Sequence, residues 1–119
     1  MREGLFIGRF QPFHKGHLEA IKFALERVDM LWIVIGSAEK SYESRNPFTA
    51  GERLSMIKST LEANNIKDWY AIPVYDASFH FIWTASINML VPSYDVVFTN
   101  EPLTKLLFKR EEKQVIEVE

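Results

Sequence analysis

The chain has 119 residues, 47% of them hydrophobic and 25% charged, with a net charge of −2 and no cysteine. That length and mix suit one globular domain, residues 1–119, with a core of its own. They exclude a disulfide framework, a thiolate metal site and the broad basic field that a nucleic-acid polymer calls for.

The elements follow in chain order. Residues 4–8 (GLFIG) form a short apolar run, as expected of a strand buried on both faces. From His17 the pattern becomes helical, with Leu18, Ile21, Leu25 and Val28 on one side and Glu19, Lys22 and Glu26 on the other. Residues 31–36 (LWIVIG) read as a second strand, followed by the polar loop SAEKSYESRNP. Thr49 and Glu52 have the spacing of a capping box, and Leu54, Ile57 and Leu61 carry that helix to about Asn64.

WYAIPVYD (69–76) is a third strand, placed at an edge by Pro73, which cannot donate to a ladder. Residues 80–90, with Ile82, Trp83, Ile87 and Leu90, read as a short helix, and YDVVFT (94–99) as a fourth strand. EPLTKLLFKR reads as a helix with proline near its start, and QVIEV (114–118) as a fifth strand. Strands alternate with helices throughout. The fold class expected is α/β, a Rossmann-like, doubly wound parallel sheet of five strands with helices on both faces. The longest apolar stretch, MLWIVIG, is too short to span a bilayer, and the N-terminus lacks a signal-peptide pattern. The chain reads as cytoplasmic.

GRFQPFHKGH (8–17) sits between the first strand and the first helix. In open parallel sheets, ligands bind beyond the carboxyl ends of the strands, where strand order reverses. Gly8 lets the backbone turn and a ligand approach. Gly16 clears the helix entry, where free N–H groups attract phosphate. His14 and His17, three apart, can face one ligand from a first helical turn, and Arg9 can fork two hydrogen bonds onto phosphate oxygens. Together these groups make a polyphosphate site. Other readings stand beside this one. An arginine after a strand is ordinarily a solvated surface residue. Two histidines can cap a helix or supply half of a metal site, but zinc needs three or four ligands and His80 is the only other histidine. The Rossmann glycine fingerprint and the Walker A pattern are both absent.

His14-Lys15-Gly16-His17 resembles the shared signature of the nucleotidyltransferase superfamily, histidine, any residue, glycine, histidine. With GRFQPF before it, and with IGSAEKSYESRNPFTAGER (35–53) and VFTNEP (97–102), the chain resembles the archaeal-type nicotinamide mononucleotide (NMN) adenylyltransferases from Arg2 to about Phe108. The resemblance implies adenylyl transfer from ATP to NMN, giving NAD and pyrophosphate, with Mg²⁺ held by the ATP phosphates and water rather than by a protein carboxylate cage.

By that resemblance His14, His17, Arg9 and Arg45 are catalytic. ATP is bound by Gly8, Arg9, Phe10, Gln11, His14, Gly16, His17 and Asn100, and Asn100 on its own would be only a helix N-cap. NMN is bound by Gly36, Ser37, Asp76, His80 and Trp83. Trp83 would stack on the nicotinamide, although by burial habit alone it is a core tryptophan. His80 stands where several family members carry an amide side chain. Thr49 and Glu52 are read as capping groups, and Arg53 as a packing or salt-bridge residue. A homo-oligomer is a further implication. Family members also run on into a segment with a Ser/Thr-rich motif ending in arginine; no such motif follows Phe108. The competing expectations are therefore a nucleotide-binding but catalytically impaired short domain, and an adenylyltransferase for another phosphorylated acceptor such as FMN.

Overall fold

The computed structural model describes residues 1–77 and 79–118, apart from the side chains of His80 and Phe81. Its elements alternate as expected: β1 (Glu3–Gly8), α1 (Lys15–Leu25), β2 (Met30–Ile35), α2 (Ala50–Ala63), β3 (Trp69–Pro73), α3 (His80–Leu90), β4 (Val96–Phe98), α4 (Pro102–Arg110) and β5 (Gln114–Ile116). The strands form one sheet in the order β3-β2-β1-β4-β5, and every pairing is parallel. Each crossover is a helix, because parallel neighbours cannot be joined by a tight turn.

Side chains alternate across the sheet, and so do the cores. Phe6, Ile33, Ile35 and Phe98 face Ile21, Ala24, Ile57 and Leu61 of α1 and α2. Leu5, Val34 and Val97 face Ile87 and Phe108 of α3 and α4 on the other side. The sheet is therefore doubly wound. β1 lies at its centre, and the chain leaves β3 at one edge to re-enter at β4, on the far side of β1. Strand order reverses between β1 and β4, which puts the topological switch point at the carboxyl end of β1. Among the described residues, no helix is long and apolar enough to cross a membrane.

Several strand ends move inward from the sequence reading. Pro73 is the last residue of the edge strand β3, as its missing donor requires. The strand expected at 94–99 is shortened to Val96–Phe98, and the Tyr94 ring packs edge-on to Phe108 just before it. The strand expected at 114–118 stops at Ile116, and Val118 pairs instead with the side chain of Asn100. On α2 the buried stripe is Arg53, Ile57 and Leu61, whereas Leu54 is 37% exposed. The expected face was therefore one residue out of phase at its start.

Candidate active site

The residues after β1 build a cleft of about 410 Å³ at the switch point, lined among others by Gly8, His14, Gly16, His17, Thr99 and Asn100. Its main feature is a capping box made of two histidines. His14 is the N-cap of α1, and its Nδ1 accepts the Gly16 N–H at 3.1 Å. His17 lies one turn on, and its Nδ1 accepts the His14 N–H at 3.1 Å. The reading of this pair as a helix cap is correct, and it does not compete with ligand binding. With both Nδ1 atoms accepting, the proton of each neutral ring resides on Nε2, which is left free to donate. The Gly16 N–H at the helix entry is taken by the His14 ring. Both imidazoles line the cleft.

Rings hold the His17 imidazole on three sides. His14 stacks on it at 3.7 Å between centroids, Phe13 at 5.4 Å, and Phe10 meets it edge-on at 4.8 Å. Burial, reinforced by the neighbouring His14, lowers the His17 pKa from 6.5 to about 4. His17 is therefore a neutral hydrogen-bond donor at neutral pH. The native state binds fewer protons than the unfolded chain between these two values. The stability this provides is complete above about pH 6.5 and is lost as pH falls through about 4. We expect the difference in unfolding free energy between the wild type and His17→Ala, measured in urea, to shrink by about 1–3 kcal/mol from pH 7 to pH 4.

Two glycines make room for these rings. A Cβ on Gly16 would meet the His14 ring at 2.9 Å, and a Cβ on Gly8 would meet the Phe10 ring at 2.8 Å. Gly8 does not have a positive φ, so the turn that the sequence reading assigned to it falls on Phe10, at φ 54°. Phe10 is only 1% exposed and cannot swing away. Gly8→Ala is expected to cost about 1–3 kcal/mol, the range for overpacking a filled core, and chemical denaturation would measure it.

The remaining predicted residues divide into those with free groups and those already engaged. Arg9 is exposed, and its Nη1 donates to the Asn46 Oδ1 at 3.4 Å, which brings the 40–48 loop to its side. Arg45, next in sequence to Asn46, is exposed and makes no ion pair among the described residues. The two arginines thus lie on adjoining loops.

The Phe10 and Gln11 side chains are both engaged within the chain. The Phe10 ring is in the core, so only its backbone remains to line a ligand. The Gln11 amide exchanges two 2.9 Å hydrogen bonds with the Phe48 backbone and pins the same loop. The Asn100 side chain likewise exchanges two 2.7 Å bonds with the Val118 backbone. The N-cap of α4 is Glu101, not Asn100.

Beyond β2 and β3, Asp76 accepts from the Ser37 hydroxyl at 2.9 Å and pairs with Lys40 at 3.5 Å. Lys40, Asp76 and Trp83 line a second cleft of about 490 Å³. Trp83 also meets Phe108 edge-to-face at 6.1 Å, so it is part core residue and part cleft wall. Gly36 offers no free backbone donor, since its N–H goes to the Gly8 carbonyl at 2.8 Å. The His80 side chain lies outside the described residues. Among the described residues no cluster of histidine and carboxylate groups could hold a metal ion.

Sequence reasoning missed the part played by Arg53. This fully buried side chain makes no salt bridge among the described residues; it donates to six backbone carbonyls. The spacing 53, 57, 61 was the available signal, since it places an arginine on an apolar stripe.

The chain matches the family model described as cytidylyltransferase-like over residues 5–117. It is 45% identical over 114 residues to the nicotinamide-nucleotide adenylyltransferase of Thermoplasma acidophilum, covering 96% of this chain and 64% of that protein. With the enzyme of the same name from Methanolobus tindarius, identity is 50% over 109 residues, covering 92% of this chain and 62% of the relative. The chain thus spans less than two thirds of the length of these curated relatives. A solved structure of a bifunctional NMN adenylyltransferase/ADP ribose pyrophosphatase from Francisella tularensis, complexed with AMP and a manganese ion, superposes with a TM-score of 0.85 at 29% identity. That match covers 99% of this chain and 37% of the other.

Proposed function

This chain belongs to the cytidylyltransferase-like family, and from that premise we propose that it transfers the adenylyl group of ATP to nicotinamide mononucleotide, giving NAD and pyrophosphate. An oxygen of the NMN 5′-phosphate forms a bond to the α-phosphorus of ATP. The bond from that phosphorus to the oxygen bridging the α- and β-phosphates breaks, and its electrons leave with pyrophosphate. The attacking phosphate is already ionised near neutral pH, so the site needs no strong base. Its work is to align the groups and to stabilise charge.

The observation that carries this reading is the histidine capping box at the switch point. It sets the His14 and His17 imidazoles in the wall of the cleft, with His17 held as a neutral donor and with Arg9 and Arg45 on the loops beside it. Neutral donors fixed by ring packing lose little by reorganising as charge moves across the phosphates. Mg²⁺ supplies further neutralisation on the leaving phosphates when bound. Among the described residues the site offers cations and imidazoles and no carboxylate cluster, and in this proposal the metal is carried in by ATP and water. NMN occupies the cleft walled by Trp83 and Asp76, where the indole face can meet the cationic nicotinamide ring. A cytoplasmic location and assembly into a homo-oligomer go with this proposal as implications of the family resemblance.

Incubation with ATP, Mg²⁺ and NMN should yield NAD and pyrophosphate in equal amounts. Product from FMN but not NMN would sink the choice of acceptor. Saturable ATP binding without any product would favour a binding module. Trp83→Ala is expected to raise the KM for NMN about 10-fold, the scale of one lost cation–π contact. The KM for ATP should barely move, and steady-state kinetics with each substrate varied would check both.

A further inference from the structure

We propose that Arg53 is a positioning residue: from inside the core, its guanidinium sets the loop bearing Arg9 against the loop bearing Ser37 and so fixes the spacing between the two halves of the site. This rests on the adenylyl-transfer reading of the clefts. Nη1 donates to the Arg9 carbonyl and to the Gly36 carbonyl, both at 2.9 Å, so that one nitrogen bridges the ends of β1 and β2. Nη2 donates to the carbonyls of Ser37 at 3.2 Å, Ala38 at 3.4 Å and Lys40 at 3.3 Å. Nε donates to the Thr49 carbonyl at 3.1 Å, which ties the fork to the start of its own helix.

The carbonyls it holds are not arbitrary. Phe10 and Ser37 are non-glycine residues in the left-handed region, at φ 54° and 50°. Such conformations persist only where the surroundings over-determine them. Arg53 grips the carbonyl just before Phe10, and the carbonyls of Gly36 and Ser37 on both sides of the second strained turn. One of these turns delivers Arg9. The other delivers Ser37, whose hydroxyl holds Asp76. A planar fork can reach carbonyls on both sides at once, whereas an ammonium acts from a single point. Arg53 is fully buried and its donors are taken by backbone, so it acts through the loops and not on the substrate.

The test is calorimetric titration of inorganic tripolyphosphate and of NMN, separately, into the parent chain and into Arg53→Lys. Stoichiometry counts folded sites, while Kd reports their geometry, so a merely structural role would lower the first and leave the second unchanged. Near-parent stoichiometry with both Kd values weakened about 10-fold is the expected result. Both Kd values within twofold of the parent would overturn the role, as would weakening for one probe alone, since a bridge moves both loops. Should Arg53→Lys fail to fold, the Arg53 Nε–H resonance of the ¹⁵N-labelled parent decides. It is expected to shift on saturation with either probe, and a signal that neither probe moves overturns the proposal. A parent chain that binds neither probe would instead bring down the adenylyl-transfer reading.

Discussion

His17→Ala is expected to lower the rate of NAD formation about 100- to 1,000-fold, the usual effect of removing one preorganised donor from a site where charge develops. The size of the effect follows from how the ring is held. Three neighbouring rings fix the imidazole, its Nδ1 is occupied by the His14 N–H, and burial keeps it neutral. Its one free polar atom is the Nε2–H. Alanine removes that donor and also frees the His14 ring, which stacks on His17 at 3.7 Å. The loss should fall on kcat more than on the KM for ATP, because Arg9 and Arg45 still attract the ground-state phosphates. Comparing steady-state kinetics of the variant with its calorimetric ATP affinity checks this. A variant within about 10-fold of the parent kcat would remove His17 from the chemistry.

Arg53→Ala is expected to destabilise the chain by about 3–5 kcal/mol, the cost of breaking a buried, charged hydrogen-bond network. Six carbonyls lose the bond from the guanidinium, and among the described residues only those of Ser37 and Thr49 have a backbone N–H partner to fall back on, from Lys40 and from residue 53 itself. The vacated space is also a cavity, since the side chain is fully buried. Stabilities of such domains are about 5–15 kcal/mol, so the loss is a large share of the whole. Urea unfolding measures it, with Leu54→Ala as a neighbouring control expected to change stability far less, because that side chain is 37% exposed. A loss for Arg53→Ala below about 1 kcal/mol would mean that water reaches those carbonyls readily.

The two residues differ in how visible they were in the sequence. His17 stands out because histidine, glycine and histidine at a helix start are rare together and chemically specific. Arg53 reads in sequence as a packing or salt-bridge residue, and Leu54 takes the place on the buried stripe. The stripe rule is built on apolar residues and skips an arginine, although 53, 57 and 61 have the correct spacing. Gln11 and Asn100 are a related case. Both looked like ligand readers, and both spend their amides on backbone, at Phe48 and Val118. An amide side chain looks the same in sequence whether its partner is a nucleotide or a carbonyl thirty-seven residues away.

The sequence by itself determined the alternation of strands and helices, the parallel doubly wound sheet and the edge position of β3. Each of these follows from local periodicity and from a few residues with strong conformational rules, chiefly Pro73 and the Thr49–Glu52 cap. Only the tertiary structure decided which polar groups remain free. Whether a donor is spent depends on the carbonyls that distant strands bring to it, and local sequence carries no record of that neighbourhood. The same packing neutralises His17 by burial, moves the strained turn from Gly8 to Phe10, and gives a buried arginine six backbone carbonyls to hold.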